Sequence, residues 1–170
     1  MTRPITRYGR YGLLLAGIIA AADFASKYVI LYVIDLPARQ TIAVLPFLDL
    51  SMVWNRGISY GWLQADSDTG RWLLVALTAA ICAGLTLWLA RQHHMLGAMA
   101  LGAIVGGAAG NLYDRAVYGA VADFLDFHIL GQHWYVFNVA DASISIGAGL
   151  LVIDAFRGHR QTSNTVDRDR

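Results

Sequence analysis

The sequence predicts a mainly α, polytopic membrane protein with four spanning helices and a small β-sheet outside the bilayer. The chain has 170 residues, of which 56% are hydrophobic and 15% charged, a balance far from that of an ordinary soluble domain. A bilayer core about 30 Å thick needs roughly 20 apolar residues per spanning helix, and four runs of that length are present. The net charge of +1 gives no indication of nucleic-acid binding.

The four spans are predicted at 13–34, 72–90, 95–113 and 137–156. The third span carries glycines at a spacing of four, a pattern that lets helix backbones approach closely in lipid. We therefore expect it to be the packed central helix. The three glycines are Gly102, Gly106 and Gly110.

A cleaved signal peptide is the alternative interpretation of the first span, because arginines precede it and small residues follow its apolar stretch. Apolar character resumes after Asp23, however, and makes the run too long for a signal core. We expect one membrane-embedded domain, 1–158, followed by a disordered cytoplasmic tail at 159–170, where the sequence is polar and lacks periodicity.

The distribution of arginines predicts which side of the membrane each loop faces. Four spans place both termini on one side, and the connections there are the richer in arginine. We expect those termini in the cytoplasm and the two long loops outside, in the periplasm. The predicted cytoplasmic arginines are Arg3, Arg7, Arg10, Arg91, Arg157, Arg160, Arg168 and Arg170, and the predicted outer ones are Arg39, Arg56, Arg71 and Arg115.

Both outer loops contain strand-like segments. Residues 47–54 partly alternate and are rich in β-forming residues, which predicts one or two short strands. Residues 121–130 predict another strand between Gly119 and Gly131, which we interpret as turn points. A small sheet on the membrane surface is the expected result.

Two charged residues lie inside the first span. Asp23 and Lys27 are one helical turn apart, so they can pair on one face and reduce the cost of burial. A purely structural pair and a role in supporting a site both remain open, since intramembrane charges are often functional.

Three polar residues close the third span at the outer surface. Asn111 and Arg115 share a helix face, where Arg115 could clamp a carbonyl or offset the helix dipole as a snorkelling cation. Asp114 is interpreted as a solvated cap residue rather than a catalyst.

Two carboxyl groups can meet at the bilayer edge. Asn138 and Asp141 begin the fourth span, and Asp123 lies in the loop that leads to it. Two close carboxyls in a partly dry site share one proton, which is the arrangement that an aspartic protease uses. Capping aspartates are the alternative interpretation, and Asp126 is a lower-ranked rival.

Other chemistries have weaker support. Gly57 to Gly61 match a GxSxG pattern with Ser59 at its centre, and His128 or His133 could act as the base of a serine protease. No HExxH spacing and no cysteine pair is present, because Cys82 is alone, so we expect no metal and no cofactor. A proton-coupled transporter is a further alternative, motivated by the intramembrane acids.

Five motifs in this order resemble lipoprotein signal peptidase (signal peptidase II), a family of bacterial membrane aspartyl proteases, over all but the tail. The sequence departs from the family pattern at 58–60, where small residues and Phe are more usual, and at Ala142, where Ser is common. The motifs are Asp23-x-x-x-Lys27, Val53-Trp54-Asn55-Arg56-Gly57, Gly110-Asn111-Leu112-Tyr113-Asp114-Arg115, Gly119-x-Val121-x-Asp123-Phe124 and Phe137-Asn138-Val139-Ala140-Asp141.

The resemblance implies a four-helix membrane bundle with a small periplasmic β-sheet cradle in the bacterial inner membrane. It implies a monomer that acts on diacylglyceryl-modified prolipoproteins and cuts just before the lipidated cysteine at the periplasmic face, with membrane lipid as its surroundings. By motif position, Asp123 and Asp141 resemble the catalytic pair. The residues expected to bind substrate or support the pair are Asn55, Gly57, Asn111, Arg115, Asn138, Asp23 and Lys27.

Overall fold

The computed structural model describes residues 4–57 and 67–166, and for 157–166 it describes the backbone alone. Four helices in this part of the chain are long and apolar enough to cross a membrane, as the sequence predicts. The helices are α1 (Arg7–Tyr28), which continues as a π-helical turn (Val29–Val33), the short α2 (Leu36–Arg39), α3 (Asp68–Leu89), α4 (Met95–Tyr118) and α5 (Val139–Val166).

The helix boundaries differ from the predicted ones at places where a capping residue or a glycine acts. The predicted spans are apolar runs, whereas a helix extends to the residue that caps it. The Thr6 hydroxyl accepts a hydrogen bond from the Gly9 amide at 2.9 Å, so α1 begins before the apolar run does. At the other end of the bundle, α4 continues past residue 113 until Gly119, whose φ of 79° ends it.

Helix α5 continues to Val166, beyond the predicted end of the fourth span at 156. The segment expected to begin a disordered tail at 159 is therefore helical as far as Val166. No proline interrupts this stretch, and adding residues to an existing helix requires no new nucleation. Residues 167–170 lie outside the described part of the chain.

Helix α4 is the centre of the bundle, as its glycines predict. It packs against α1, α3 and α5. A Cβ added at Gly106 would lie 2.6 Å from the Ala16 carbonyl oxygen of α1, and one added at Gly102 would lie 2.5 Å from the Gly12 carbonyl oxygen. The glycines thus allow two backbones to approach within a distance that any side chain would prevent.

The outer surface of the bundle is apolar. Large hydrophobic side chains remain exposed along three of the long helices, which suits helices surrounded by lipid rather than water. Examples are Leu14 and Ile18 of α1, Leu73, Leu77, Ile81 and Leu87 of α3, and Ile146, Val152 and Phe156 of α5.

A four-stranded antiparallel sheet lies at the end of the bundle where α4 ends and α5 begins. The strands are β1 (Thr41–Leu45), β2 (Leu48–Asn55), β3 (Val121–Ile129) and β4 (Gln132–His133), in the order β1-β2-β3-β4. The predicted strands are confirmed, and β4 is an addition. Both predicted turn glycines adopt positive φ, 79° at Gly119 and 77° at Gly131, where a residue without Cβ is favoured.

A small hydrophobic cluster holds the sheet against the end of α1. Its buried members are Ile30, Leu36 and Phe124. Because β3 follows α4 after a single turn and then leads into α5, Asp123 near the start of β3 is brought to the first turn of α5.

Candidate active site

Asp123 is completely buried in β3, opposite Val53 of β2. Its two carboxylate oxygens accept hydrogen bonds from different amide side chains. Asn138 donates to Oδ1 at 2.6 Å, and Asn55 donates to Oδ2 at 3.1 Å. The carboxyl group is therefore held in one orientation from both sides.

Asp141 is half-buried in the first turn of α5. The Asn138 side chain accepts a hydrogen bond from the Asp141 amide at 2.9 Å, and the Asp141 carboxylate accepts a longer one from the Asn138 amide at 3.4 Å. This reciprocal pair is a capping box, which satisfies amides that the first turn of a helix leaves free. The aspartate is thus fixed by the start of its own helix.

Asn138 and Asn111 connect the two aspartates. The side-chain Nδ2 of Asn138, which donates to Asp123, also donates to Asn111 Oδ1 at 3.2 Å. Asn111 Nδ2 in turn donates to Asp141 Oδ1 at 2.8 Å. The structure therefore brings together the two acids that the sequence paired, on one hydrogen-bonded network. Residues from α4, β3 and the start of α5 all contribute.

Lys27 lies below this network and is almost completely buried. Its ammonium group contacts Asp23 at 2.7 Å and Asp114 at 2.8 Å, and donates to Asn111 Oδ1 at 3.2 Å. The predicted pairing of Asp23 with Lys27 is present, and the lysine also reaches the network that holds the acids. Asp23 adds a second link, because its Oδ1 accepts a hydrogen bond from the Ala140 amide of α5 at 2.9 Å.

Arg115 joins the helical bundle to the loop that follows β2. Its guanidinium donates to the Gly57 carbonyl at 2.8 Å and to the Asn111 carbonyl at 3.4 Å. The Gly57 amide in turn donates to Asn55 Oδ1 at 3.1 Å. The arginine clamps a carbonyl, as the sequence suggested, and its Nε is buried without a hydrogen-bond partner in the described part of the chain.

The electrostatics favour a proton on Asp123. Burial raises the pKa of this carboxyl to about 7, and the negative charge of Asp141 contributes to the rise, while hydrogen bonds from Asn55 and Asn138 oppose it. Burial penalises the charged form, and a second carboxylate nearby makes a second negative charge unfavourable. The pair is therefore set to hold one proton near neutral pH.

Two cavities meet at Asp141. One, of about 430 Å³, is lined by Trp134, Tyr135 and Phe137 at the edge of the sheet. The other, of about 280 Å³, lies between α3, α4 and α5 and is lined by Leu77, Ile81 and Arg115 among others. An extended segment passing from one cavity to the other would cross the half-buried carboxyl group.

The rival site residues lie elsewhere. Asp126 accepts a hydrogen bond from Ser51 at 2.9 Å and lies 3.0 Å from His133, so it belongs to a separate cluster on the sheet. His128 lies in the same cluster, 3.4 Å from an oxygen of Asp49. Ser59, the nucleophile of the serine hypothesis, lies outside the described residues, as do the family departures at 58–60.

A family model described as Signal peptidase (SPase) II matches residues 15–157 of the chain. The chain belongs to the signal peptidase II family. The lipoprotein signal peptidase of Methylobacterium sp. (strain 4-46) is 51% identical over 142 residues, 83% of this chain and 86% of the relative. That of Methylorubrum extorquens (strain PA1) is 48% identical over 87% of this chain and 86% of the relative.

A solved structure of a bacterial membrane enzyme is also similar, with a TM-score of 0.77 and 27% identity over 96% of this chain and 95% of that one. The resemblance read from five motifs is thus confirmed. As a member of the signal peptidase II family, the protein is a multi-pass bacterial membrane protease.

Asp114 belongs to the buried polar network of the bundle, contrary to the sequence-based expectation. It is 2% exposed, and its Oδ2 contacts Lys27 and accepts a hydrogen bond from the Ala122 amide at 3.1 Å, so the interpretation as a solvated cap is wrong. The predicted third span ends at 113, which places Asp114 outside the helix, whereas α4 continues to Tyr118. Spacing gives the missing signal, because Asp114 lies four residues after Gly110 and so shares the face that packs on α1.

Tyr135 is a second residue near the two acids that the sequence patterns do not identify. Its hydroxyl accepts a hydrogen bond from Asn55 Nδ2 at 3.0 Å, which is the same amide that binds Asp123. No sequence pattern relates positions 55 and 135, because their proximity depends on the pairing of β2 with β3.

Proposed function

We propose that the protein is an aspartyl endopeptidase that removes the signal peptide from diacylglyceryl-modified prolipoproteins, cutting just before the lipidated cysteine. The observation that carries this proposal is the junction of Asp123 and Asp141 through Asn138 and Asn111 at the sheet-bearing end of a membrane bundle. Two adjacent carboxyl groups that share one proton provide the acid and the base for peptide hydrolysis.

In the proposed reaction, Asp141 is ionised and Asp123 carries the shared proton. Asp141 removes a proton from water, and the resulting hydroxide attacks the scissile carbonyl carbon. Asp123 donates its proton to the carbonyl oxygen, which gives an uncharged gem-diol. The proton taken by Asp141 then passes to the leaving nitrogen, one diol hydroxyl returns its proton to Asp123 as the carbonyl re-forms, and the C–N bond breaks.

The surrounding residues support this division of roles. Asp141 is half-buried and lines both cavities, so water and a substrate can reach its carboxylate. Asp123 is completely buried, and burial favours the uncharged form of a carboxyl group. We assign Asn55, Asn111 and Asn138 to positioning the acids, and Asp23 with Lys27 to anchoring Asn111 and the start of α5.

We assign Arg115 and Gly57 to holding the end of the β2 segment against α4. Their contact fixes the chain at the point where the loop leaves β2. This arrangement would keep Asn55, two residues before Gly57, on the Asp123 carboxylate.

The proposal of a lipidated substrate is supported by the location of the acids and by the names of the relatives, which are lipoprotein signal peptidases. A diacylglyceryl group dissolves in the acyl region and would hold its cysteine at headgroup depth. Both cavities at Asp141 are bordered by apolar or aromatic residues of the bundle surface, so the signal helix can enter laterally while the lipid tails stay in the bilayer. We further propose periplasmic orientation of this end, cytoplasmic termini and action as a monomer.

Cleavage by purified protein tests the proposal. Wild type should cut a diacylated prolipoprotein and leave its unlipidated twin intact. Asp123→Asn and Asp141→Asn should each lower the rate by more than about a thousandfold, since each removes one of the two proton-transfer groups, while unfolding in detergent remains cooperative.

Asp35→Asn is the matched control, because Asp35 is an exposed acid with a φ of 53°, a conformation that Asn also tolerates. Its rate should equal that of wild type. Turnover at wild-type level in Asp123→Asn or Asp141→Asn would refute the mechanism. Equal cutting of the unlipidated twin would refute the substrate assignment.

A further inference from the structure

A group of aspartates and histidines lies on the sheet, apart from the two acids of the active site. Asp49 of β2 is directly opposite Asp126 of β3, and His128 of β3 is directly opposite His133 of β4. Alternate residues of a strand project to the same face, and directly paired residues share a face. The register therefore gathers the four side chains on one face of the sheet, and we call them the sheet cluster.

The polar atoms of the sheet cluster are close together. His133 Nδ1 lies 3.0 Å from Asp126 Oδ1, and His128 Nε2 lies 3.4 Å from Asp49 Oδ2. One ligand atom from each of Asp49, Asp126 and His133 lies within 4.8 Å of the others. The two imidazole rings are 4.9 Å apart between centroids.

Two features of the sheet cluster favour a cation. Like charges directly opposite each other destabilise a sheet, yet among the described side chains of 4–57 and 67–156 neither Asp49 nor Asp126 forms an ion pair with lysine or arginine. Independently, His128 Nε2 is buried and makes no hydrogen bond in that part of the chain, although a carboxylate oxygen lies 3.4 Å away. A buried imidazole nitrogen that lacks a hydrogen bond and lies beside a carboxylate oxygen can bind a cation together with that oxygen.

We propose that the sheet cluster binds a divalent first-row transition metal, with Zn²⁺ as the best match. Imidazole nitrogen with carboxylate oxygen suits zinc, whereas calcium and magnesium prefer oxygen alone. A tetrahedral zinc ion with bonds of about 2.0 to 2.2 Å places neighbouring ligand atoms about 3.4 Å apart. The 3.4 Å between His128 Nε2 and Asp49 Oδ2 matches this value, and the 3.0 Å between His133 Nδ1 and Asp126 Oδ1 is shorter. Binding of one ion by all four residues would require side-chain rotations that bring His128 to the group formed by Asp49, Asp126 and His133.

An occupied sheet cluster would join β2 to the β3–β4 turn. His133 directly precedes Trp134 and Tyr135, which line the cavity at Asp141, and Tyr135 is also joined to Asn55. The ion would thus hold the aromatic edge of that cavity in place. The site itself does not depend on the proposed proteolysis, because binding is measured without substrate.

The test uses full-length protein in detergent, free of any polyhistidine tag and dialysed against a chelator. Co²⁺ is added and its visible absorption is recorded, then Zn²⁺ is titrated in competition. We expect one ion per chain, the intense absorption of tetrahedral Co²⁺, and a rise in melting temperature on adding Zn²⁺, since a ligand that binds only the folded state stabilises it.

Two ligand variants and two controls locate the site. His133→Ala and Asp49→Asn should each weaken Zn²⁺ binding by more than about tenfold, and the use of both variants allows for a folding defect in one. His93→Ala removes an exposed histidine at the opposite end of the bundle, and Asp123→Asn disables the proposed catalysis. Both controls should bind as wild type does.

Absence of stoichiometric Zn²⁺ binding by wild type would overturn the proposal. So would unchanged binding in the folded ligand variants, because the ion would then lie elsewhere. Loss of binding in Asp123→Asn would place the ion at the proposed catalytic pair instead of the sheet cluster, and would also overturn it.

Discussion

The pH dependence of cleavage gives a signed test of the proposed roles of the two aspartates. The pKa of Asp123 is raised to about 7 by burial and by the charge of Asp141. If Asp123 must be protonated to donate to the carbonyl oxygen, kcat/KM should fall as pH rises through this value. With a pKa of about 7, the protonated fraction is about one tenth at pH 8 and about one hundredth at pH 9.

Substitution of Asn55 should shift the alkaline limb of the pH profile, which is the pH range over which kcat/KM falls. The Asn55 amide donates to Asp123 at 3.1 Å and so stabilises the ionised form, which lowers the pKa. Asn55→Ala removes that stabilisation, so the pKa of Asp123 should rise further. A hydrogen bond to a charged group contributes about 1.5 kcal/mol at the low end of its range, and about 1.4 kcal/mol corresponds to one pKa unit.

The assay is kcat/KM on the lipidated substrate from about pH 5 to about pH 9, because this ratio reports the groups of the free enzyme. The limb of Asn55→Ala should lie about one unit above that of wild type, even though its maximal rate is lower. Asp35→Asn should keep the wild-type limb. A flat wild-type profile up to pH 9, or a limb that moves to lower pH in Asn55→Ala, would refute the assignment of the proton to Asp123.

Two further predictions concern stability in detergent. Gly106→Ala should destabilise the protein by about 1 to 3 kcal/mol through overpacking, because its Cβ would lie 2.6 Å from a backbone oxygen of α1. Gly84→Ala is the control and should be neutral, because a Cβ there has open space. Equal melting temperatures of the two variants would contradict this packing. Lys27→Met should cost about 3 to 5 kcal/mol by leaving buried carboxylates unpaired, and adding Asp114→Asn should recover part of that loss. A double variant no more stable than Lys27→Met would show that the ion pair is not the source of the stability.

The sequence was sufficient for features that depend on local pattern. Run length and polarity predicted four membrane helices, and the spacing of four between glycines predicted that α4 packs closely at the centre. The two turn glycines, Gly119 and Gly131, predicted β3 between them. The capping relation between Asn138 and Asp141 is also local, because both residues lie within one turn of the chain.

Local sequence pattern does not distinguish the active-site candidate Asp123 from its rival Asp126. Sequence spacing placed Asp123 and Asp126 in equivalent apolar settings, three residues apart, and only the family motifs favoured Asp123. Strand register separates them: Asp123 is opposite Val53 and contacts Asn138, whereas Asp126 is opposite Asp49 and contacts His133.

What the sequence alone determined is therefore the membrane environment, the number of spans, the small sheet and, through its motifs, the family. Only the tertiary structure decided that Lys27 contacts Asp114 and Asn111 as well as Asp23, that Tyr135 and Asp123 bind the same Asn55 side chain, and that the residues of the sheet cluster share one face of the sheet. The physical reason is that hydrophobic period and run length act within one helix or strand, whereas these contacts join segments far apart in sequence. The geometry of these contacts is fixed by the close approach of helices at glycines and by strand register. Neither can be inferred from the spacing of residues along the sequence.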